Sequence, residues 1–206
     1  MALLPVCLTT TRPDASLPMP VPGCIIWEKQ GQEGTLDAAR SQRLAQIRER
    51  ISNHFAEGIV PFWTQRGIDH QYGGYLTDCD SDGRWLPGDM SKDIVTQTRL
   101  IWAFSLFHQR FPADKRYEQA ARQGVDFFID HFWDHQYGGW FWKVQRDGAI
   151  VDTGKVVYGQ SFAIYALAQY YLATGEQRWL GYANQTFDHL QQYCVDTARG
   201  GYYENL

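Results

Sequence analysis

No Cys-x-x-Cys pair, no run of lysines and arginines, and no apolar stretch near the ~18 residues of a membrane span occurs in this sequence of 206 residues. Each absence removes a class of protein. The four cysteines, Cys7, Cys24, Cys79 and Cys194, are scattered, which argues against a zinc site or a disulfide framework and fits a reducing cytosol. The formal net charge of −4 arises without a basic cluster, so neither nucleic acid nor an anionic membrane surface is expected as a partner. MALLPVCL has no basic n-region and Pro5 breaks its apolar run, so a signal peptide is not expected. His131 and His135 are spaced like zinc ligands, but HFWDH lacks the glutamate of HExxH and has no third ligand nearby, and no metal is expected. What remains is the expectation of a soluble, cytoplasmic protein without a cofactor.

Five of the eight prolines fall in the first 22 residues, a density that forbids helix, so residues 1–35 read as an extended, disordered tail. With 44% hydrophobic residues, the rest of the chain can bury a core, and residues 36–206 read as one domain or part of a larger one.

The strongest feature is a repeat. DHQYGG occurs at 69–74 and again at 134–139, and RGGYYE at 199–204 is a weaker third instance. After each of the first two GG pairs comes a short apolar stretch and an Asp-Gly, at 82–83 and 147–148, which reads as a β-hairpin turn. Each hairpin precedes a helix that is apolar nearly all round, 96–111 and 158–175, expected to be a buried inner helix. Each inner helix precedes one with a single apolar stripe: Tyr117, Ala121, Gly124, Phe128 and Phe132, then Trp179, Ala183, Phe187 and Leu190. Those read as outer helices, and residues 40–64 supply another before the first GG, with Pro112 and Gly175 as helix breakers.

DCDSDGRWLPGD, residues 78–89, places Asp78, Asp80, Asp82, Gly83 and Asp89 at EF-hand loop spacing. Its flanks are wrong for calcium, because it follows a strand-like stretch and contains Pro87. In the second copy only the Asp-Gly recurs, while Lys143 and Gln145 face Asp78 and Asp80. The hairpin turn is therefore the favoured reading.

Alternating inner and outer helices closed by hairpins describe an α/α toroid, whose inner helices begin at the mouth of a cavity. Polar residues there are the candidates for chemistry: Lys92, Gln97 and Arg99 in the first copy, Lys155, Tyr158 and Gln160 in the second. Arg99 is the sharpest, since a guanidinium in an apolar helix needs either an ion-pair partner or ligand oxygens. Tyr158 and Gln160 are read equally as ligand groups, as a core tyrosine and as a loop-capping glutamine. His70 and His135 are repeat equivalents and read as loop residues.

QTRLIWAFS, KVVYGQSFAIYALAQYYLATG and the GGY hairpins resemble the N-acylglucosamine 2-epimerase superfamily, which includes cellobiose 2-epimerases and aldose–ketose isomerases, over residues 40–206. The resemblance implies an all-α fold, here the N-terminal part of an (α/α)6 toroid with about five helices and short β-hairpin loops. It implies a mono- or disaccharide substrate bound by Arg99, Tyr158 and Gln160, Arg99 being the arginine of a QxR motif. It implies proton abstraction and return at C2 through an enediol(ate), without metal. Members are about twice this long and carry their catalytic histidines in the second half, so no histidine here is assigned to catalysis and the chain reads as truncated at its third hairpin. Two alternatives are an inactive partial domain that self-associates through its open face, and a glycoside hydrolase on the same toroid, with Asp69, Asp134 and Glu204 as the tempting acids.

Overall fold

The computed structural model describes residues 37–205 apart from Pro87 and Asp89. The Pro-rich tail, Cys7, Cys24 and the last position of the calcium-like spacing lie outside the described residues. The chain divides into two units, Met1–Leu44 and Ala45–Leu206. Of the first, the start of α1 (Ala38–His54) is described, where Asp37 Oδ1 accepts the Ala39 N–H at 3.2 Å. No residue of α1 is buried, and Leu44, Ile47 and Ile51 form an exposed stripe along it.

In the second unit the helix continues as a π-helical turn (Phe55–Ile59), α2 (Val60–Phe62) and a second π-helical turn (Trp63–Gly67). Pro61 is the local cause: it has no N–H to give to the preceding turn, so the backbone ladder widens around it. Thr64 Oγ1 donates to Val60 O at 2.8 Å.

The expected alternation of helices follows. Inner helices α3 (Ile94–Arg110) and α5 (Val157–Thr174) pack side by side, α4 (Lys115–Phe132) covers α3, and α6 (Gln177–Tyr193) covers α5. Asp93 caps α3 by accepting the Thr96 N–H at 2.8 Å, and Asp114 caps α4 by accepting from Arg116 N. α5 stops at Gly175, which is left-handed and donates to Tyr171 O at 2.7 Å. The core lies between these helices, with Trp140 stacked on Phe128 at 4.4 Å and Phe104, Ile101, Ala163 and Leu167 fully buried around it. Tyr75 reaches into it past α4, where a Cβ at Gly124 would overlap the phenol, and its hydroxyl donates to Ala120 O at 2.9 Å. Among the described residues no helix is long and apolar enough to cross a membrane.

The Asp-Gly turns are hairpin turns: Gly83 donates to Asp80 O and Gly148 to Gln145 O, each with φ positive. Asp80, the centre of the calcium-like spacing, has its Oδ1 taken by the N–H groups of Asp82 and Arg84 at 2.9 Å. A pairing between copies was not expected from the sequence. β1 (Lys92–Asp93), which enters α3, pairs antiparallel with β2 (Lys143–Val144) of the second hairpin, and β2 pairs with β3 (Ile150–Asp152) across a bulge. Beside this ladder Ile94 N–H donates to Trp142 O at 3.0 Å; one copy later Val157 N–H donates to Glu204 O at 2.8 Å. Each inner helix thus begins on the hairpin of the following repeat.

Each hairpin is also fixed to its own inner helix by two side chains. Gln97 accepts from Tyr75 N–H at 2.9 Å and donates to Tyr75 O at 2.8 Å; Gln160 does the same to Trp140 at 2.9 and 2.7 Å. Lys92 Nζ donates to Asp69 Oδ2, Gly73 O and Arg146 O, so all three ammonium protons have acceptors in a fully buried site. Lys155 repeats two of these bonds, to Asp134 Oδ2 and Gly138 O, both at 2.6 Å. The third instance is real: Asp196 N–H bonds to Gly201 O and Gly200 N–H to Asp196 O, as Asp69 does with Gly74 and Gly73.

These latches are testable. Lys92→Ala takes one of the two cations from the buried Asp69 carboxylate and leaves Gly73 O and Arg146 O without this donor; with Arg146 still bound to Asp69, the cost should stay at or below the about 3–5 kcal/mol of a fully broken buried pair. The partly exposed Lys155 should cost less when truncated, so chemical denaturation of the two variants should rank them in that order.

Burial pushes both Asp69 and Asp134 up, but the bonds from Arg146 and Lys92, and from Lys155 and the Tyr137 and Gln136 N–H groups, outweigh it and hold both carboxyls below the usual range. A depressed folded pKa gives stability that is complete above the unfolded value of about 3.9 and is lost as pH falls through the folded values. Melting temperature should therefore hold from pH 7 to 5 and fall below pH 4, and Asp134→Asn should flatten that acid limb while lowering the plateau.

Candidate functional site

Where α3 and α5 run together, one side of the pair is left open. α5 contributes Tyr158, Phe162 and Tyr165 at spacings of four and three residues, one face of a helix, and α3 contributes Arg99 and Trp102 at a spacing of three. Gly159 sets the distance between the helices, because Ile94 and Trp142 occupy the space a side chain there would need.

The five side chains form one strip. The Arg99 guanidinium carbon lies 5.0 Å from the centre of the Phe162 ring. Tyr158 meets Phe162 edge-on at 4.9 Å, Phe162 meets Tyr165 at 6.0 Å, and Tyr165 stacks on Trp102 at 5.0 Å with planes 13° apart. Tyr158 is 47% exposed and Tyr165 42%; Arg99 is exposed, while Trp102 and Phe162 are half-buried. Burial pushes the Tyr165 phenol up, and the Arg99 charge pulls it part of the way back. Among the described residues Arg99 has no carboxylate within ion-pair distance, so its donors face outward.

Of the three residues expected to touch substrate, Arg99 and Tyr158 stand on this strip. Gln160 does not: it is 1% exposed, and its amide is used on the Trp140 backbone, which is the loop-capping geometry. Lys92, Lys155 and Gln97, the other polar groups at the inner-helix starts, are likewise engaged with the hairpins. Trp102 and Tyr165 lie on the open side, whereas Phe104, two residues after Trp102, is 1% exposed and packed on Tyr75 at 5.6 Å. The reason is angular, since two residues along a helix turn a side chain through about 200°. Nor are the inner helices buried all round, as their composition suggested, for Tyr158, Tyr165 and Leu172 of α5 are exposed. Phe162 is a platform residue without a polar group, marked in the sequence only by its spacing from Tyr158 and Tyr165.

The histidines make their contacts elsewhere. His131 packs on Phe127 at 4.5 Å and His189 on Tyr193 at 4.7 Å, the Nδ1 of His108 is buried, and His70 and His135 lie exposed in the hairpin loops. Among the described residues no group of three or more metal-ligating side chains forms. Chemically the strip offers flat apolar faces beside a fixed fork of N–H donors and a phenol. It can hold a ligand with a C–H face and a rim of oxygens.

The sequence pattern of the N-acylglucosamine 2-epimerase family matches residues 74–206. The cellobiose 2-epimerase of Bacteroides fragilis is 28% identical over 160 residues, which are 78% of this chain and 40% of that protein. The cellobiose 2-epimerase of Ruminococcus albus is 30% identical over 155 residues, 74% of this chain and 38% of that protein. The solved structure of cellobiose 2-epimerase from Spirochaeta thermophila superposes with a TM-score of 0.76 at 32% identity, covering 82% of this chain and 41% of that one. The chain therefore spans about two fifths of the length of the relatives it matches. With the family's pattern over residues 74–206, this chain belongs to the N-acylglucosamine 2-epimerase family.

Proposed function

We propose that this chain supplies one wall of the sugar site of a 2-epimerase or aldose–ketose isomerase. The observation that carries the reading is the strip itself: an exposed Arg99, without a carboxylate partner among the described residues, flanked by Tyr158, Phe162, Tyr165 and Trp102. Aromatic faces stack on the C–H face of a sugar, and the guanidinium holds its oxygens. In the reaction, a base removes the C2 proton of the open-chain sugar and the electron pair moves onto the carbonyl oxygen, giving an enediol(ate). Arg99 stabilises the negative charge that develops on that oxygen. Return of a proton to the other face of C2 gives the epimer, and return at C1 gives the ketose. The proton-transferring groups are not assigned to His131 or His189, which pack on Phe127 and Tyr193. Gln160 serves the site indirectly by fixing the second hairpin.

The hydrolase reading needs two free carboxyl groups across the scissile bond. Of its three acids, Asp69 and Asp134 are held in lysine latches at the hairpins, which leaves Glu204 without a second free carboxyl among them.

Arg99→Ala is the direct test. Cellobiose, mannose and N-acetylglucosamine titrated against the chain should quench Trp102 fluorescence in a saturable way, and Arg99→Ala should abolish saturation while shifting stability by no more than about 0.5 kcal/mol, as for an exposed position. A large stability loss with sugar response unchanged would make Arg99 structural. The 206-residue chain alone should incorporate no deuterium at C2 in heavy water; incorporation would place the catalytic base within this sequence. Light scattering should also show self-association through the exposed Tyr158, Tyr165 and Leu172, and a strictly monomeric chain would contradict that expectation.

A further inference from the structure

Arg66, Lys92, Arg146, Lys155 and Arg178 each lie over an aromatic ring and also donate to a carboxylate or carbonyl oxygen. Arg99 is different. It lies over the Phe162 ring, but among the described residues no oxygen accepts from its guanidinium. The ring, 5.0 Å from the guanidinium carbon, is therefore the contact that holds the exposed end of this side chain. That ring is itself held from both directions along α5. Tyr158 meets it edge-on at 4.9 Å from the turn before, and Tyr165 at 6.0 Å from the turn after. Tyr165 in turn stacks on Trp102, which stands three residues after Arg99 on α3, so the contacts run from α3 to α5 and back. Arg99 stands on a closed circuit.

We propose that Phe162 is a positioning residue for Arg99, holding the guanidinium at the strip while leaving its N–H fork for a ligand. The ligand as sugar rests on the function proposed above; the holding contact does not. A carboxylate would fix an arginine more firmly, yet it would take up the same donors that have to meet ligand oxygens. An aromatic face attracts the charge through its quadrupole and has no lone pair to occupy an N–H. The donors stay free. Without the ring, a long exposed stem would spread over many rotamers, and an attraction of this kind at an exposed site favours the held position about two- to fivefold. The charge is also felt one turn along α5, where Arg99 opposes the effect of burial on the Tyr165 phenol. A guanidinium kept over Phe162 is near enough to do so.

Nitrogen relaxation of the Arg99 Nε–H bond tests this with no sugar present. Its order parameter should fall in Phe162→Leu, which keeps an apolar side chain but has no π face, and should be retained in Phe162→Tyr. In the unchanged chain the Arg99 side-chain protons should lie upfield of their free values through the ring current of Phe162, a measurement that needs no variant. The backbone amides of α5 show that each variant is folded. Saturation by mannose or cellobiose, read from Trp102 fluorescence, should weaken by at least the same two- to fivefold in Phe162→Leu and hold in Phe162→Tyr. If no sugar saturates any of the proteins while the order parameters differ as stated, the positioning stands and the sugar reading falls. Unshifted Arg99 protons, an equally ordered Nε–H in folded Phe162→Leu, or sugar binding undiminished by that change would overturn the proposal.

Discussion

The buried pair between Lys92 and Asp69 is the constraint on which the rest of the second unit depends. A lysine is rarely this enclosed, and burial drives its ammonium toward the neutral form. It stays charged because a carboxylate and two carbonyls accept its three protons. Those acceptors come from the first hairpin loop and from the second hairpin, while the lysine enters α3. One side chain therefore joins three segments separated by long stretches of chain. A buried pair adds little net stability over an apolar replacement, yet it tolerates almost no change of register.

That fixed register is what makes an open face useful. The hairpins hold the starts of α3 and α5 through Lys92, Gln97, Lys155 and Gln160, which leaves the polar side chains two positions from each glutamine free to point outward. Arg99 follows Gln97 by two residues and Tyr158 precedes Gln160 by two, so each clamp directs its neighbour to the other side of the helix. The interior then takes Phe104, Ile101 and Leu167, and the outside keeps Trp102 and Tyr165. Structural glutamine and exposed arginine alternate along the same turn, and the separation follows from helical geometry alone.

The repeat was legible because its parts are local: Asp-x-x-x-Gly-Gly, the Asp-Gly turn, and a Lys and Gln five residues apart at each inner-helix start. The helices were legible from their periodicity and caps. Contacts between repeats were not. The bond from Arg146 to Asp69 spans 77 positions, and nothing near Arg146 distinguishes it from a solvated turn residue. The same limit explains Gln160 and Phe104. A polar residue at a cavity mouth reads equally as ligand group or clamp until the hairpin backbone lies beside it, and an apolar residue in an all-apolar helix has no marked face. The aromatic strip lies between these cases, its spacing being visible but its neighbours belonging to another helix.

Amide hydrogen exchange of Tyr75 and Trp140 addresses the central claim most directly. Both N–H groups lie in hairpin loops, yet each donates to a buried glutamine on the following inner helix. If the clamps fix the hairpins to the helices, these two amides should exchange as slowly as the cores of α3 and α5, through global unfolding. Exchange as fast as that of the exposed amides of His70 and His135 would contradict the account.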